Sequence, residues 1–227
     1  MTFSIVARSG DGKAHGVAVA SKFLGVGAAV PAAEADVGAL ATQSYANLAF
    51  RPQGLTLLRT GVPAAGVVAG LVAADDGRAS RQVGVVGATG PGATFTGDSC
   101  HAWAGGVAGD GYAIQGNILT GPEVVDAMQR AWVDSTEEPR LARRLYAALL
   151  AGDQAGGDRR GRQSAALVVV AKGQGYGGTS DVVVDVRVDD HPDPIVELGR
   201  LLGLHNQFHP HLHAPKRLRQ PARAAAE

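Results

Sequence analysis

The stretch TFSIVARSGDGKAHGVAVAS, residues 2–21, predicts how this chain begins to fold. Apolar and polar side chains alternate through residues 2–8, with the period of two that is typical of a half-buried strand. Turn-forming residues fill positions 9–12, and small and β-branched residues resume at 15–21. This order predicts a β-hairpin. The second strand carries glycine and alanine on one face, which suits a strand covered closely by another layer.

The rest of the chain continues with runs of strands that are interrupted by pairs of helices. Further strands are predicted at 25–30, 37–43, 82–88, 93–97, 112–115, 165–171 and 182–188. Apolar residues at helical spacing predict helices at 54–60, at 63–73, after 120–123, from 141 to a stop at Gly152, and from 194. Runs of this kind favour a layered α+β fold with antiparallel sheets covered by helices, because a doubly wound parallel sheet would alternate strand and helix.

Two helix starts have local signals of their own. Thr120 and Glu123 have the spacing of a capping box, in which the threonine caps the helix and the glutamate lies three residues on. Asp193 and Pro194 supply a cap and a proline in the first turn of the last helix. We expect one domain over residues 1–204, and we expect the histidine- and arginine-rich residues 205–227 to form a flexible tail.

Composition restricts the classes of partner. The 21 basic and 21 acidic side chains cancel, which argues against nucleic acid as a partner bound by bulk electrostatics. The single cysteine, Cys100, fits a reducing compartment. No basic segment followed by an apolar one opens the sequence, and no 18 apolar residues run together, so neither export nor membrane insertion is expected. We predict a cytoplasmic protein that binds a small molecule, with a homodimer as one candidate assembly.

Thr2 is the first candidate for chemistry, because removal of an initiator methionine would leave it at the N-terminus. Its α-amine could then serve as general base for its own hydroxyl, and no histidine would be needed. A threonine at the second position is also common and without function in many proteins. The position alone therefore leaves both interpretations open.

A second candidate is the segment AGGDRRGRQS at residues 155–164, which places three arginines and Asp158 among glycines. Arginine binds carboxylates through two parallel hydrogen bonds, so the segment could hold an anionic substrate at the edge of a strand. It could equally be a solvated basic turn in which Asp158 pairs internally.

Amide side chains mark a third candidate region, where Gln115, Gly116 and Asn117 end a predicted strand. An amide donor beside a backbone N–H can stabilise an oxyanion, although such residues also satisfy turn backbone in many proteins. Gln43 ends another predicted strand with the same ambiguity.

A metal-dependent enzyme that uses Asp190, His191 and Asp193 is a further alternative. Their spacing matches no closed metal site, and Asp193 is already explained as a helix cap. The sequence also lacks a phosphate-binding loop and a dinucleotide fingerprint in a strand-to-helix context. We therefore predict no metal and no cofactor.

Several segments together resemble domain-of-unknown-function family 1028, from Thr2 to about Leu204. The segments that carry the resemblance are 2–8, 16–21, 41–43, 115–117, 155–166 and 187–192. That family is grouped with the N-terminal nucleophile (Ntn) hydrolases. The resemblance therefore implies a four-layer αββα sandwich, with two antiparallel sheets between helix layers. It also implies a nucleophile that opens the first strand, as Thr2 would here.

The resulting hypothesis is hydrolysis of an amide or related acyl bond of a small substrate, with a carboxylate as a candidate feature. Thr2 would attack the carbonyl, Asn117 would stabilise the oxyanion, and Asp158 and Ser164 would orient these groups. The candidate substrate-binding residues are Gln43, Gln115, Gly116, Arg159, Arg162 and Gln163. The alternative is a non-catalytic protein of the same fold that holds a small anion in the 158–164 segment.

Overall fold

The computed structural model describes residues 2–209, which form a mixed α+β fold with two antiparallel sheets and six α-helices. The strands are β1 (Thr2–Arg8), β2 (Ala14–Ser21), β3 (Pro31–Glu34), β4 (Gly38–Ser44), β5 (Arg81–Gly87), β6 (Ala93–Thr96), β7 (Gly105–Gly109), β8 (Tyr112–Asn117), β9 (Ser164–Ala171) and β10 (Val182–Val188). The helices are α1 (Val26–Ala29), α2 (Phe50–Arg59), α3 (Ala64–Ala73), α4 (Glu123–Asp134), α5 (Leu141–Gln154) and α6 (Pro194–Phe208).

The two sheets differ in size. The large sheet has six strands in the order β10-β9-β2-β1-β8-β7, and the small sheet has four in the order β3-β4-β5-β6. All neighbouring strands pair antiparallel. The first hairpin therefore lies at the centre of the large sheet, with β9 on one side and β8 on the other.

Three groups of buried residues fill the spaces around the sheets. One joins the large sheet to α4, α5 and α6, a second contains residues of both sheets, and a third joins the small sheet to α2 and α3. Phe3 belongs to the first group, Val6 and Ala41 belong to the second, and Leu40 belongs to the third. Alternate residues of one strand thus enter different groups, as the period of two along a strand requires.

The predicted hairpin is confirmed. β1 and β2 pair from Thr2 opposite Ser21 to Arg8 opposite His15. As expected, the small residues of β2 lie where another layer covers the strand closely. A Cβ added to Gly16 would lie 2.7 Å from the Leu145 side chain of α5.

Some strand predictions are wrong. Residues 25–30 do not form a strand, since Gly25 has a positive φ of 64° and a single helical turn, α1, follows it. Strands β3 and β7 were not predicted. Both consist mainly of alanine, glycine and proline, which lack the β-branched and aromatic side chains that identify a strand in a sequence.

Helix boundaries also differ from the predictions. α4 begins at Glu123, and the capping box is wrong because no side chain caps this helix. α5 runs past Gly152 to Gln154. Asp193 precedes α6 as predicted, although its side chain makes no capping hydrogen bond.

The last helix changes the predicted boundary of the tail. α6 continues through Phe208, so residues 205–208 are helical and not part of a flexible tail. Residues 210–227, with the remainder of the predicted tail, lie outside the described residues. Within residues 2–209, none of the helices is long and apolar enough to cross a membrane.

Candidate active site

Thr2 lies in a row of polar residues that crosses four strands of the large sheet. In this row Ser164 of β9 is opposite Ser21 of β2, Ser21 is opposite Thr2 of β1, and Thr2 is opposite Asn117 of β8. Paired residues in an antiparallel sheet share a face, and this face is the one turned toward the small sheet. We call these four residues the Thr2 row.

The Thr2 hydroxyl is buried within this row. Its Oγ1 lies 3.1 Å from Ser21 Oγ, at hydrogen-bond distance, and only 6% of the residue is exposed. The Thr2 carbonyl oxygen accepts hydrogen bonds from Gln43 Nε2 at 3.3 Å and from Asn117 Nδ2 at 3.4 Å. Both sheets therefore hold the first residue of β1.

Amide side chains from both sheets form a buried network between the sheets, next to the Thr2 row. We call it the amide cluster, and it shares Asn117 with the Thr2 row. It consists of Gln43, Gln82, Gln115 and Asn117, together with the Ser4 hydroxyl. Ser4 Oγ donates to Gln43 Oε1 at 2.7 Å and accepts from Gln115 Nε2 at 2.6 Å. All five residues are at most 1% exposed, and none of them carries a charge.

Gln82 is the centre of the amide cluster. Its Oε1 accepts from Gln43 Nε2 and from Asn117 Nδ2, both at 2.8 Å. Its Nε2 donates to the Gly116 carbonyl at 2.7 Å and to Thr96 Oγ1 at 2.8 Å. Gln82 thus fixes the orientation of the amide that lies beside Thr2.

One fully buried atom of the amide cluster has no hydrogen-bond partner within residues 2–209. Gln115 Oε1 is buried without a hydrogen bond. It faces Gly84 of β5, where an added Cβ would lie only 2.0 Å from it. The glycine therefore makes room for the Gln115 side chain between the sheets.

The backbone turns sharply directly after two of these side chains. Ser44 follows Gln43 with a φ of 68°, and Ile118 follows Asn117 with a φ of 50°. A β-branched residue at positive φ is strained, and such strain persists only where surrounding contacts hold it. Ile118 is held by hydrogen bonds of its backbone to His101 and Arg159.

The chain that follows Gln43 is anchored by an ion pair. Arg81 Nε donates to Asp75 Oδ2 at 2.7 Å, and Arg81 Nη1 donates to the Tyr45 carbonyl. The hydrogen bond from Arg81 to Asp75 lowers the pKa of Asp75 to about 2, well below its usual range. Asp75 is therefore ionised at neutral pH, where its ion pair with Arg81 holds this loop.

The glycine-rich segment at residues 155–164 contacts the ends of β2 and β8, the two strands that flank β1. Asp158 accepts hydrogen bonds from the backbone N–H of Lys22 and of Arg160, each at 2.8 Å. The backbone of Asp158 also forms an isolated β-bridge with Leu119, just beyond β8. Asp158 thus links the ends of β2 and β8, and its carboxylate is occupied by backbone donors.

Ser164 is likewise occupied. Its hydroxyl donates to the Phe23 carbonyl and accepts from the Val26 N–H at 3.1 Å. It holds the one-turn helix α1 against β9. A small recess of about 10 Å³, which has room for about one water molecule, is bordered by Ser164, Ser21 and Asp158.

The remaining residues of the segment contact other partners. Arg162 Nε donates to Asp153 at 2.7 Å, which raises the pKa of the guanidinium, and Arg162 also lies 3.6 Å from Asp193. Gln163 Nε2 donates to Asp190 at 3.2 Å. The exposed Arg159 side chain has no hydrogen bond or ion pair within residues 2–209. The structure therefore brings Thr2, Asn117, Gln43, Gln115 and Gly116 together, whereas none of its described contacts joins Arg159, Arg162 or Gln163 to Thr2.

The residues of the metal alternative are also engaged with neighbours. Asp190 accepts from Gln163, and His191 Nδ1 accepts from the Asp193 N–H at 3.0 Å. In the described part of the chain, no three His, Cys, Asp or Glu side chains are grouped so that they could hold a metal ion.

Sequence reasoning missed Ser21, Ser4 and Gln82. The predicted hairpin contained a signal for Ser21, because closing the turn at residues 9–12 sets the last residue of β2 opposite Thr2. Gln82 had no local signal, since it reaches the site from the other sheet.

Comparison with known sequences places the chain in a family. A family described as "Family of unknown function (DUF1028)" matches residues 2–198. The chain belongs to the DUF1028 family. This DUF1028 chain is also similar to a solved structure, the crystal structure of protein SPO2555 from Silicibacter pomeroyi, of the same family. The two are 31% identical with a TM-score of 0.81, over 90% of this chain and 89% of the other. A search of curated proteins gives no match.

Proposed function

We propose that this DUF1028 protein hydrolyses an amide or related acyl bond of a small substrate, with Thr2 as nucleophile once Met1 has been removed. The observation that carries the proposal is the position of Thr2 as the first residue of a central strand. Its hydroxyl lies 3.1 Å from Ser21 Oγ, and Asn117 is its register partner on the next strand.

In the proposed reaction, the Thr2 hydroxyl attacks the substrate carbonyl and its proton passes to the α-amine of the same residue. Asn117 is the candidate donor to the oxyanion of the tetrahedral intermediate. Gln82 Oε1 holds one of its N–H groups at 2.8 Å, and the other, which makes a long hydrogen bond of 3.4 Å to the Thr2 carbonyl, would turn to the oxyanion. When the intermediate collapses, the substrate's carbonyl–nitrogen bond breaks and the leaving amine takes the proton from the Thr2 α-amine. The acyl group remains on Thr2 as an ester. Water then hydrolyses this ester and restores the hydroxyl. We assign Asp158 and Ser164 to positioning, because backbone groups occupy both side chains.

The same proposal includes the four-layer αββα arrangement of Ntn hydrolases. Support for it comes from the three groups of buried residues, which lie between helices and the large sheet, between the sheets, and between the small sheet and helices. In this arrangement the nucleophile lies at the end of the space between the sheets.

Intact mass and covalent trapping test the proposal. We expect the purified protein to lack the mass of Met1. A β-lactone should acylate Thr2 by ring opening, so that the protein gains the full mass of the reagent. Thr2→Ala should abolish the adduct, Thr2→Ser should retain it, and Ser21→Ala should leave it on Thr2. Retention of Met1 in the native protein, or equal labelling of Thr2→Ala, would contradict the mechanism.

The anion-binding alternative predicted from the sequence makes a different prediction for Thr2→Ala, which should leave ligand affinity nearly unchanged. In the structure, Arg160 and Arg162 already pair with Asp158 and Asp153, so that of the three arginines only Arg159 is unpaired within residues 2–209. The hydrolase is therefore the function that we prefer.

A further inference from the structure

A second cleft lies at the opposite end of the first hairpin from Thr2. It has a volume of about 260 Å³ and is bordered by the β1–β2 turn and by the segment that joins α4 to α5. β1 has seven residues, which separate this cleft from Thr2 by about 20 Å. Ser9, Asp11, Glu138, Leu141 and Arg144 are among the residues that line it.

Arg144 is the unusual residue of this cleft. It is only 8% exposed, and its guanidinium lies over the Trp132 ring at 3.7 Å from the centroid. It donates to the Trp132 carbonyl at 3.0 Å and to Ser135 Oγ at 3.2 Å. Within residues 2–209 it has no carboxylate at ion-pair distance. A buried guanidinium without a counter-ion is costly, and burial lowers the pKa of Arg144 accordingly.

The two acidic residues of the cleft are paired elsewhere. Glu138 lies 3.0 Å from Arg140 and 3.7 Å from Arg143. Asp11 lies 3.5 Å from Lys13 and accepts from Ser9 Oγ at 2.7 Å. Each acid of the cleft is therefore paired with another base, and neither lies at ion-pair distance from Arg144.

The start of α5 also borders the cleft and contributes a partial positive charge. Leu141, its first residue, lines the cleft, and the first turn contains no acidic residue. The N–H groups of a first helical turn have no partner within the helix and carry a partial positive charge. Arg144 and the N-terminus of a 14-residue helix thus border the same small space.

We propose that this cleft is a binding site for a small organic monocarboxylate, whose carboxylate pairs with Arg144. The volume suits a molecule of a few carbon atoms, and Pro139 and Leu141 border the space for its chain. A single negative charge fits best, because Glu138 and Asp11 repel a doubly charged ion such as phosphate more strongly than a monocarboxylate. The site does not depend on Thr2, so it can exist whether or not the hydrolase proposal is correct.

The Trp132 side chain provides a direct measurement. The chain has two tryptophans, so two indole N–H signals are expected in a ¹H–¹⁵N spectrum, and Trp103→Phe assigns them. Sodium butyrate should shift the Trp132 signal saturably. Uncharged butyramide should not, and inorganic phosphate at equal ionic strength should bind more weakly. A shift of equal size with butyramide, or no saturable shift with butyrate, would overturn the proposal.

A charge-removing substitution in the cleft and a matched one outside it extend the test. Arg144→Gln should weaken butyrate binding about tenfold or more, because the bound carboxylate loses its charged partner. Arg130→Gln, which removes the same charge from an exposed position on α4, should leave binding unchanged.

Glu138→Gln should tighten butyrate binding about threefold, because it removes a competing negative charge. This variant keeps the proposal testable if Arg144→Gln fails to fold. Unchanged or weaker binding by Glu138→Gln, or unchanged binding by a folded Arg144→Gln, would contradict a carboxylate site.

Discussion

The two ends of β1 bury polar groups on the same face in different ways. At one end, Thr2 and Ser4 belong to a network of neutral side chains that spans both sheets. At the other end, Arg8 donates to the Gly87 and Gly90 carbonyls at 3.0 and 3.1 Å. Its strand partner His15 is fully buried, and neither ring nitrogen has a hydrogen-bond partner in the described structure.

This difference separates two kinds of buried polarity. The amide cluster is almost completely hydrogen-bonded and uncharged, so it fixes geometry and should be insensitive to pH. The His15 end contains a titratable group that burial and the nearby Arg8 charge keep neutral, with a lowered pKa. We therefore expect mutations to affect the first end through geometry and pH to affect the second.

Gln82→Leu should have the largest effect. It removes the hydrogen bonds that Gln82 makes with the Asn117 and Gln43 amides and with the Gly116 carbonyl, and we expect a loss of about 3 kcal/mol of unfolding free energy. Gln129→Leu is the matched control, since the half-buried Gln129 has one described side-chain hydrogen bond, to the Tyr112 hydroxyl. Urea denaturation measures both variants. Equal losses would mean that Gln82 is not the centre of the network.

Gly84→Ala should cost about 2 kcal/mol, because its Cβ would displace the buried Gln115 side chain. Gly203→Ala is the control, as nothing lies within 4 Å of its added Cβ. Adding Gln115→Ala should make Gly84→Ala nearly harmless, which a double-mutant cycle in urea would measure. Additive effects of the two substitutions would show that they do not meet.

His15→Phe should change the pH dependence of stability. The pKa of His15 is lowered from 6.5 in the native state, so below pH 6.5 the unfolded chain binds more protons and stability falls as pH decreases. The phenylalanine side chain cannot titrate and buries no unpaired nitrogen, so the variant should lose less stability on acidification and be about 1 kcal/mol more stable at low pH. Thermal unfolding at several pH values tests this. Parallel curves for both proteins would contradict it.

Ile118→Asn should have the smallest effect, a gain below about 1 kcal/mol, because asparagine tolerates positive φ better than a β-branched residue does. Ile114→Asn, in the regular part of β8, should instead be strongly destabilising. Thermal unfolding compares the two. A loss in Ile118→Asn would show that its side-chain packing outweighs the backbone strain.

Local patterns predicted much of the fold but not its glycine- and alanine-rich parts. The hairpin, β4, β5, β9 and the helices α2 to α6 have apolar periodicity that the sequence displays. β3 and β7 are defined by their neighbours in the sheet, because their own side chains are too small to indicate a strand. Likewise, α4 starts without a side-chain cap although Thr120 and Glu123 have the spacing of one.

The candidate site was predictable only for residues near the ends of strands, on β1, β4 and β8. Thr2 and Asn117 were singled out from strand ends, and strand pairing brings them together. Arg162 looked available for a substrate because the sequence does not reveal Asp153 and Asp193 as its partners. Gln82 reaches Asn117 across the gap between two sheets, a contact that no spacing along the chain encodes.

The place of Thr2 at the start of β1 has a practical consequence for any laboratory that assays this protein. An affinity tag fused to the N-terminus would turn the proposed nucleophile into an internal residue whose nitrogen is an amide and not a basic amine. If Thr2 is the nucleophile, such a preparation would be inactive even when folded, so a negative result from it would carry no information about hydrolysis. A tag at the C-terminus, beyond α6, or a protease that leaves Thr2 first, keeps the question open to experiment.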